Sequence, residues 1–240
     1  MIPPTPSLSE HEIVDQKTWL AAREKHFADE VRLTHELDKL REKRRALPWV
    51  EVAEDYEFIG RNGPVNLTDL FDGRSQLVVQ HIMLTPGSDH ICPGCSFLAD
   101  HVDCARQHFQ QADLSYAAVS RAGIERIEGV RQRLGWDFEW VSSGKSSFSF
   151  DFGVSFTDDE LAGEGAAHNY GKEMVKGTND MFGLSVFVQP EKGGPIFHTY
   201  STFRRGAELM MGALNWLDLT PKGRNEQGKT HSWLRLHDEY

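Results

Sequence analysis

The chain is short of cysteine, with three in 240 residues. Three are too few for a disulfide scaffold, and in a reducing compartment a disulfide drawn from so small a set is transient and catalytic rather than structural. Long apolar runs are also missing: no stretch approaches the roughly eighteen apolar residues of a membrane span. The opening MIPPTPSLSEHEIV has no basic region followed by an apolar one, so a cytoplasmic location without a membrane partner is expected. Positive charge is in deficit. Lys and Arg number 26 against 36 Asp and Glu, a net charge of −10, which speaks against general nucleic-acid binding and is accounted for by solubility. Internal repeats and low-complexity tracts are absent. What remains is a globular composition, 39% hydrophobic with fourteen phenylalanines and six tryptophans, enough for one well-buried domain with embellishments.

Proline and glycine are absent between Asp15 and Leu47, where good helix formers dominate. Trp19, Leu20, Phe27, Val31, Leu37 and Leu40 give an imperfect apolar stripe, and Arg41, Lys43, Arg44 and Arg45 suit a helix C-terminus that stops at Pro48. Residues 1–50 therefore read as a proline-rich lead and a helical extension of one long or two short helices. Residues 51–220 read as the main domain, and 221–240 as a polar tail anchored by Trp233, Leu234 and Leu236. Within the domain, 56–60 and 65–71 have the pattern of short strands or a strand and turn, and 77–83 that of a buried strand. A strand at 114–121, a helix at 124–134, a hairpin of 184–189 with 196–201 around EKGG, and a helix at 204–217 follow. Trp136, Phe138 and Trp140 alternate as core residues; the acidic, glycine-rich stretch 158–177 reads as a surface loop with a solvated His168.

Two cysteines fall at a junction. After the 77–83 strand and the turn signals Thr85, Pro86 and Gly87, the pattern becomes helical at Cys92-Pro93-Gly94-Cys95. Proline is best tolerated at the first position of a helix, which makes Cys92 the N-cap. A sulfur there accepts hydrogen bonds from free N–H groups and sits at the positive end of the helix dipole, so thiolate is favoured over thiol. Helix-start CxxC motifs bring the attacking cysteine from a pKa of about 8.5 to roughly 3.5–7. Cys95 lies on nearly the same face and deeper, as a resolving thiol should.

Other readings stay open at this point. A structural zinc site needs two further soft ligands, yet Cys104 stands nine residues beyond Cys95. On an unbroken helix that is about 900° of rotation, which sends Cys104 to the opposite side as a small core residue. Capture of copper by Cys92, Cys95 and a histidine such as His81 or His198 is one alternative. A redox-inert interaction scaffold that dimerises through the N-terminal helix is another.

The succession of strand, helix, strand, helix, hairpin and helix is the thioredoxin arrangement. The chain resembles a bacterial thioredoxin-like family of formerly unknown function, usually described as predicted dithiol-disulfide oxidoreductases. The resemblance rests on RRALPWV at Arg44, DLFDGRSQL at Asp69, HIM at His81, CPGCSFLAD at Cys92, VSRA at Val119, GWDFEWVSS at Gly135, FHTYSTFRRG at Phe197 and LDLTPKGR at Leu217. It implies an α/β thioredoxin-like fold, a mixed sheet flanked by helices behind an N-terminal helical extension, and thiol-disulfide activity with Cys92 attacking and Cys95 resolving. No metal or other cofactor is expected. The expected substrate is a small molecule or protein carrying a disulfide, with an electron donor that the sequence does not specify.

Two departures bear on that expectation. Thioredoxins proper place a cis-proline opposite the CxxC, where this chain has Met181, Phe182 and Gly183, so turnover of generic protein disulfides is expected to be weak. Peroxiredoxins place Thr or Ser three residues before the attacking cysteine, where Asp89 stands here, so peroxidase activity is the weaker expectation. His90 is a candidate for a cation beside the thiolate, or a plain solvated histidine. Pro93, Gly94, His198, Tyr200 and Arg205 are candidates for the substrate groove, with a purely structural role equally open for the last three.

Overall fold

The protein is described here by a computed structural model covering residues 8–240; residues 1–7 of the proline-rich lead lie outside the described residues. Helix α1 (Gln16–Arg45) is a single helix. Asp15 caps it by accepting the Thr18 N–H at 2.7 Å, and Lys43, Arg44 and Arg45 complement its last turn. None of its residues is buried, so the apolar stripe stands in solvent, with Trp19 51% and Phe27 57% exposed. The helix is laced by its own i,i+3 ion pairs, Arg32–Asp29, Lys39–Glu36 and Arg41–Asp38. It touches the body where the Arg44 guanidinium rests 4.8 Å over the Tyr200 ring.

Strands β1 (Val50–Glu51), β2 (Glu57–Gly60) and β3 (Gly63–Asn66) are followed by a 3-10 turn, Asp69–Phe71, so the 65–71 stretch is strand and turn. Next come β4 (Gln76–His81), α2 (Pro93–Ala99), α3 (Val102–Gln111), β5 (Leu114–Ser120), α4 (Ile124–Arg133) and β6 (Glu139–Ser142). The chain continues through α5 (Phe148–Asp151), α6 (Asp158–Leu161), β7 (Ala166–His168), β8 (Glu173–Val175), β9 (Gly183–Val188) and β10 (Phe197–Thr202). A 3-10 segment, Arg204–Met210, and α7 (Gly212–Asp218) precede the tail.

One eight-stranded sheet runs β1-β10-β9-β4-β5-β6-β2-β3. β4, β5 and β6 are parallel, as strands joined through helices must be, and β9 and β10 continue the sheet antiparallel from β4. The order β10-β9-β4-β5, with helices on the connections, is the thioredoxin-like core, and α1 is its N-terminal extension. Alternation along β4 divides the core in two. Leu77 and Val79 join Phe58, Phe71, Phe148 and Phe187 on one face. The other face carries Cys95, Tyr116, Ile127, Trp136, Phe138 and Trp140 beneath α2 and α4.

Three expectations are corrected. The helix after CPGC breaks at Asp100 and His101 into α2 and α3. His101 holds the break by donating from Nδ1 to the Phe97 carbonyl at 2.6 Å and accepting the Ala213 N–H on Nε2 at 3.1 Å. Cys104 consequently lies on the separate helix α3 and is exposed rather than core. The 158–177 stretch is not a bare loop: α6 and a β7–β8 hairpin form, and His168 alternates inward with Ala166 to only 3% exposure. The 204–217 helix is interrupted, its first half being 3-10, with Gly206 and Gly212 weakening α-helix propagation on either side of the break.

Candidate active site

β4 delivers the chain to the end of the sheet, and the 82–91 connection returns it to the start of α2. Pro93 occupies the first helical position and Cys92 is the N-cap, its Sγ accepting the Cys95 N–H at 3.4 Å. The Cys92 carbonyl accepts both the N–H and the hydroxyl of Ser96 at 3.0 Å, which closes the first turn. The Cys95 thiol, acting as donor, lowers the Cys92 pKa to about 7 against the opposing effect of burial, aided by the backbone N–H groups of Cys95 and Gly94. Burial above all pushes the Cys95 thiol up, followed by its hydrogen bond to Cys92 and the Cys92 charge. Cys92 is half-buried and Cys95 is 1% exposed. One sulfur is thus accessible and readily ionised, and the other is enclosed and protonated.

A buried polar chain fixes this helix start to the sheet. Gln80 donates from Nε2 to the Cys95 carbonyl at 2.9 Å, and its Oε1 accepts the Tyr116 hydroxyl at 2.5 Å. The Met83 N–H reaches Cys95 Sγ at 3.5 Å. Opposite the cysteines, Met181 and Phe182 wall a cavity of about 310 Å3, completed by Met83, Met211, Arg204, Arg205, Glu208 and the tail residues Thr230 and His231. The segment carrying Met181 is held by Asp180, which accepts Nε and Nη2 of Arg121 at 2.6 and 3.1 Å and the Ser155 hydroxyl at 2.7 Å. Gly183 sits where a Cβ would come within 2.7 Å of Val154 Cγ1, so the backbone there packs as closely as it does only without a side chain. Glu208 draws the far wall together. Burial would raise its carboxyl, but Arg205 and Arg224 more than offset this and hold it below the ordinary range.

Residues 8–240 match the family described as "Bacterial protein of unknown function (DUF899)". The chain belongs to that family. This agrees with the resemblance carried by the sequence motifs. Among solved structures, the DUF899 chain is similar to peroxidoxin BcpB from Mycobacterium tuberculosis, at 16% identity over 71% of this chain and 97% of that one, with a TM-score of 0.48. A cysteine-to-serine variant of peroxiredoxin Q from Xanthomonas campestris is similar at 17% identity over 71% and 98% of the two chains, TM-score 0.47. The mitochondrial 2-Cys peroxiredoxin from Plasmodium falciparum is similar at 13% identity over 73% and 95%, TM-score 0.41. Comparison with curated protein sequences finds no match.

Of the residues singled out from the DUF899 sequence, Cys92, Gly94, Cys95 and Arg205 line one cavity, and Pro93 stands between them at the helix start. Three are placed elsewhere. His90 stays exposed in the loop before α2, its N–H donating to Ser88 Oγ at 3.2 Å. His198 packs against Phe152 and Phe187 on the other sheet face, and Tyr200 lies under Arg44 of α1. The same alternation separates His81 from the cysteines: Gln80 points to α2, so His81 points away, 3.0 Å from Ser185 Oγ and stacked on Phe148. Burial, then the nearby His198, push its pKa down to about 3. Neither His81 nor His198, the histidines named for copper capture, is therefore brought to the cysteines. Sequence reading missed Gln80, whose signal was a lone amide inside the apolar run LVVQHIM. It also missed Met83, Glu208 and His231, which local pattern does not mark because only tertiary folding brings them to the cysteines.

Proposed function

We propose that the protein is a thiol-disulfide oxidoreductase acting on a small or specialised disulfide. The observation that carries this reading is the pair at the start of α2: an accessible sulfur with a pKa near 7 placed over a buried thiol three residues on. The Cys92 thiolate attacks one sulfur of the substrate disulfide; a Cys92–substrate bond forms and the other half leaves as thiolate. Cys92 is then neutral. Two causes that hold up the Cys95 pKa, the hydrogen bond to Cys92 and the Cys92 charge, are removed at that moment, while the Met83 N–H still favours the Cys95 thiolate. Cys95 loses its proton to the departing thiolate and attacks Cys92 Sγ, releasing the second half of the substrate. The substrate has gained two electrons and the protein holds a Cys92–Cys95 disulfide. A dithiol reductant returns the electrons and restores both thiols. Met83, Met181, Phe182 and Met211 offer apolar contact to the substrate body.

The test is trapping. With glutathione disulfide, Cys95→Ser/Cys104→Ser accumulates a mixed disulfide and Cys92→Ser/Cys104→Ser accumulates none, both read by intact mass, the exposed Cys104 being removed so that it takes no adduct of its own. Insulin is reduced slowly in the same assay. Absence of an adduct on Cys92 with any disulfide, while hydrogen peroxide alone oxidises the protein, would replace this reading by a peroxidase.

A further inference from the structure

Residues 221–240 follow the thioredoxin-like core and, apart from a closing 3-10 turn at His237–Glu239, form no helix or strand. A segment of this kind is held in place by what its side chains reach, and here they reach the two elements that flank the dithiol cavity. On one flank is the 3-10 segment Arg204–Met210, where Glu208 accepts from Arg224 Nη1 at 2.8 Å and lies 3.9 Å from His231 Nε2. On the other is α2, where the Phe97 ring meets the rings of His231 and Trp233 edge-on at 6.0 and 5.8 Å. Cys92 caps that same helix. The chain from Arg224 to Trp233 is therefore a strap from one wall to the other, and Thr230 and His231 within it line the cavity together with Cys92 and Cys95.

The strap is laced within itself. Trp233 Nε1 donates back to the Arg224 carbonyl at 2.8 Å, the Gln227 N–H to Ser232 Oγ at 2.8 Å and the His231 N–H to Glu226 Oε1 at 2.6 Å. His231 takes φ 56, uncommon for a residue with a side chain, and its carbonyl accepts the Leu234 N–H at 3.0 Å. Beyond Trp233 the chain is anchored again. Leu236 is buried in the core, His237 Nδ1 lies 2.7 Å from Asp100 Oδ1, and Arg133 Nε donates to Asp238 at 2.7 Å. The cavity that results holds about 310 Å3, at the lower end of the volumes that take small ligands. A disulfide of low molecular weight can present one end to such a space. A protein disulfide carries chain on both sides of each half-cystine and needs an open groove.

Resting on the thiol-disulfide activity inferred above, we propose that the 224–233 strap decides the substrate: it admits low-molecular-weight disulfides to Cys92 and shuts out disulfides held in proteins. Access is measured apart from turnover. In the full chain carrying Cys104→Ser, which removes the exposed thiol, Cys92 is alkylated by N-ethylmaleimide and by the same maleimide fixed to a globular carrier protein. Trp233→Ala removes the Phe97 contact and the bond to the Arg224 carbonyl. It speeds the carrier-borne reagent by at least about tenfold and N-ethylmaleimide by less than about twofold. Insulin reduction rises with the former, and glutathione disulfide reduction stays with the latter. Should labelling of Cys95 show that this variant unfolds, Arg133→Ala/His237→Ala loosens the far anchor through two exposed side chains and speeds the carrier-borne reagent by about threefold. A carrier rate unmoved in the folded variant, or wild-type protein that reduces insulin as fast as glutathione disulfide, would overturn the proposal. A carrier rate that rises while neither disulfide is reduced would instead overturn the oxidoreductase reading, and with it the substrate class, and leave the strap's control of access standing.

Discussion

Cys92 and Cys104 differ in chemistry rather than in access alone. With its pKa lowered to about 7, Cys92 is half thiolate at neutral pH, so its alkylation by iodoacetamide rises through pH 7 and levels off above it. Cys95→Ala removes the thiol that contributes most to that lowering, and the profile shifts to higher pH. Peptide mass spectrometry across a pH series reads both. In native protein Cys95 stays unlabelled and Cys104, being exposed, is labelled. A Cys92 profile unmoved by Cys95→Ala would mean that the thiol pair does not act as a pair. The role of Cys92 was legible in sequence because its causes are local: a proline at the first helical position and free N–H groups within three residues. The exposure of Cys104 was not. It depends on His101 reaching Ala213, more than a hundred residues away in the chain, to hold the α2–α3 break.

The strands that carry the site, β4, β5, β9 and β10, were readable from β-branched runs and turn residues, because burial on a sheet writes itself into local pattern. The 158–177 region was not, since its hairpin is short and its inward residues, Ala166 and His168, are not the β-branched or aromatic residues that mark a strand. Long-range ion pairs leave no local pattern at all. Arg121, just past β5, meets Asp180 just before β9 across 59 residues, and this pair holds the wall formed by Met181 and Phe182. Arg121→Ala strands a buried carboxylate, so urea denaturation shows a loss of about 3 kcal/mol. In the double variant Arg121→Ala/Asp180→Ala much of that loss is recovered, and a loss equal in single and double variants would remove the pair from this role.

At the scale of the molecule, helix α1 stands apart from a sheet whose two faces are each packed. It buries no residue, so a chain lacking residues 1–45 unfolds thermally within about 3 °C of the full protein and forms the same Cys92 adducts. A large drop in melting temperature would show that α1 shields part of the core. We propose that its exposed apolar residues serve self-association, and sedimentation of the full and shortened chains reads that directly: dimer for the first, monomer for the second. The parallel strands, α2 and the tail that brings His231 to the cavity lined by Cys92 meet at the dithiol. Equilibration in graded dithiothreitol buffers, with acid quenching and peptide mass mapping, tests that convergence most directly. The account predicts one reversible two-electron step, in the range of about −270 to −200 mV, that links Cys92 to Cys95 and leaves Cys104 a free thiol. A protein that forms no Cys92–Cys95 disulfide under any buffer, or that joins either cysteine to Cys104 instead, contradicts it.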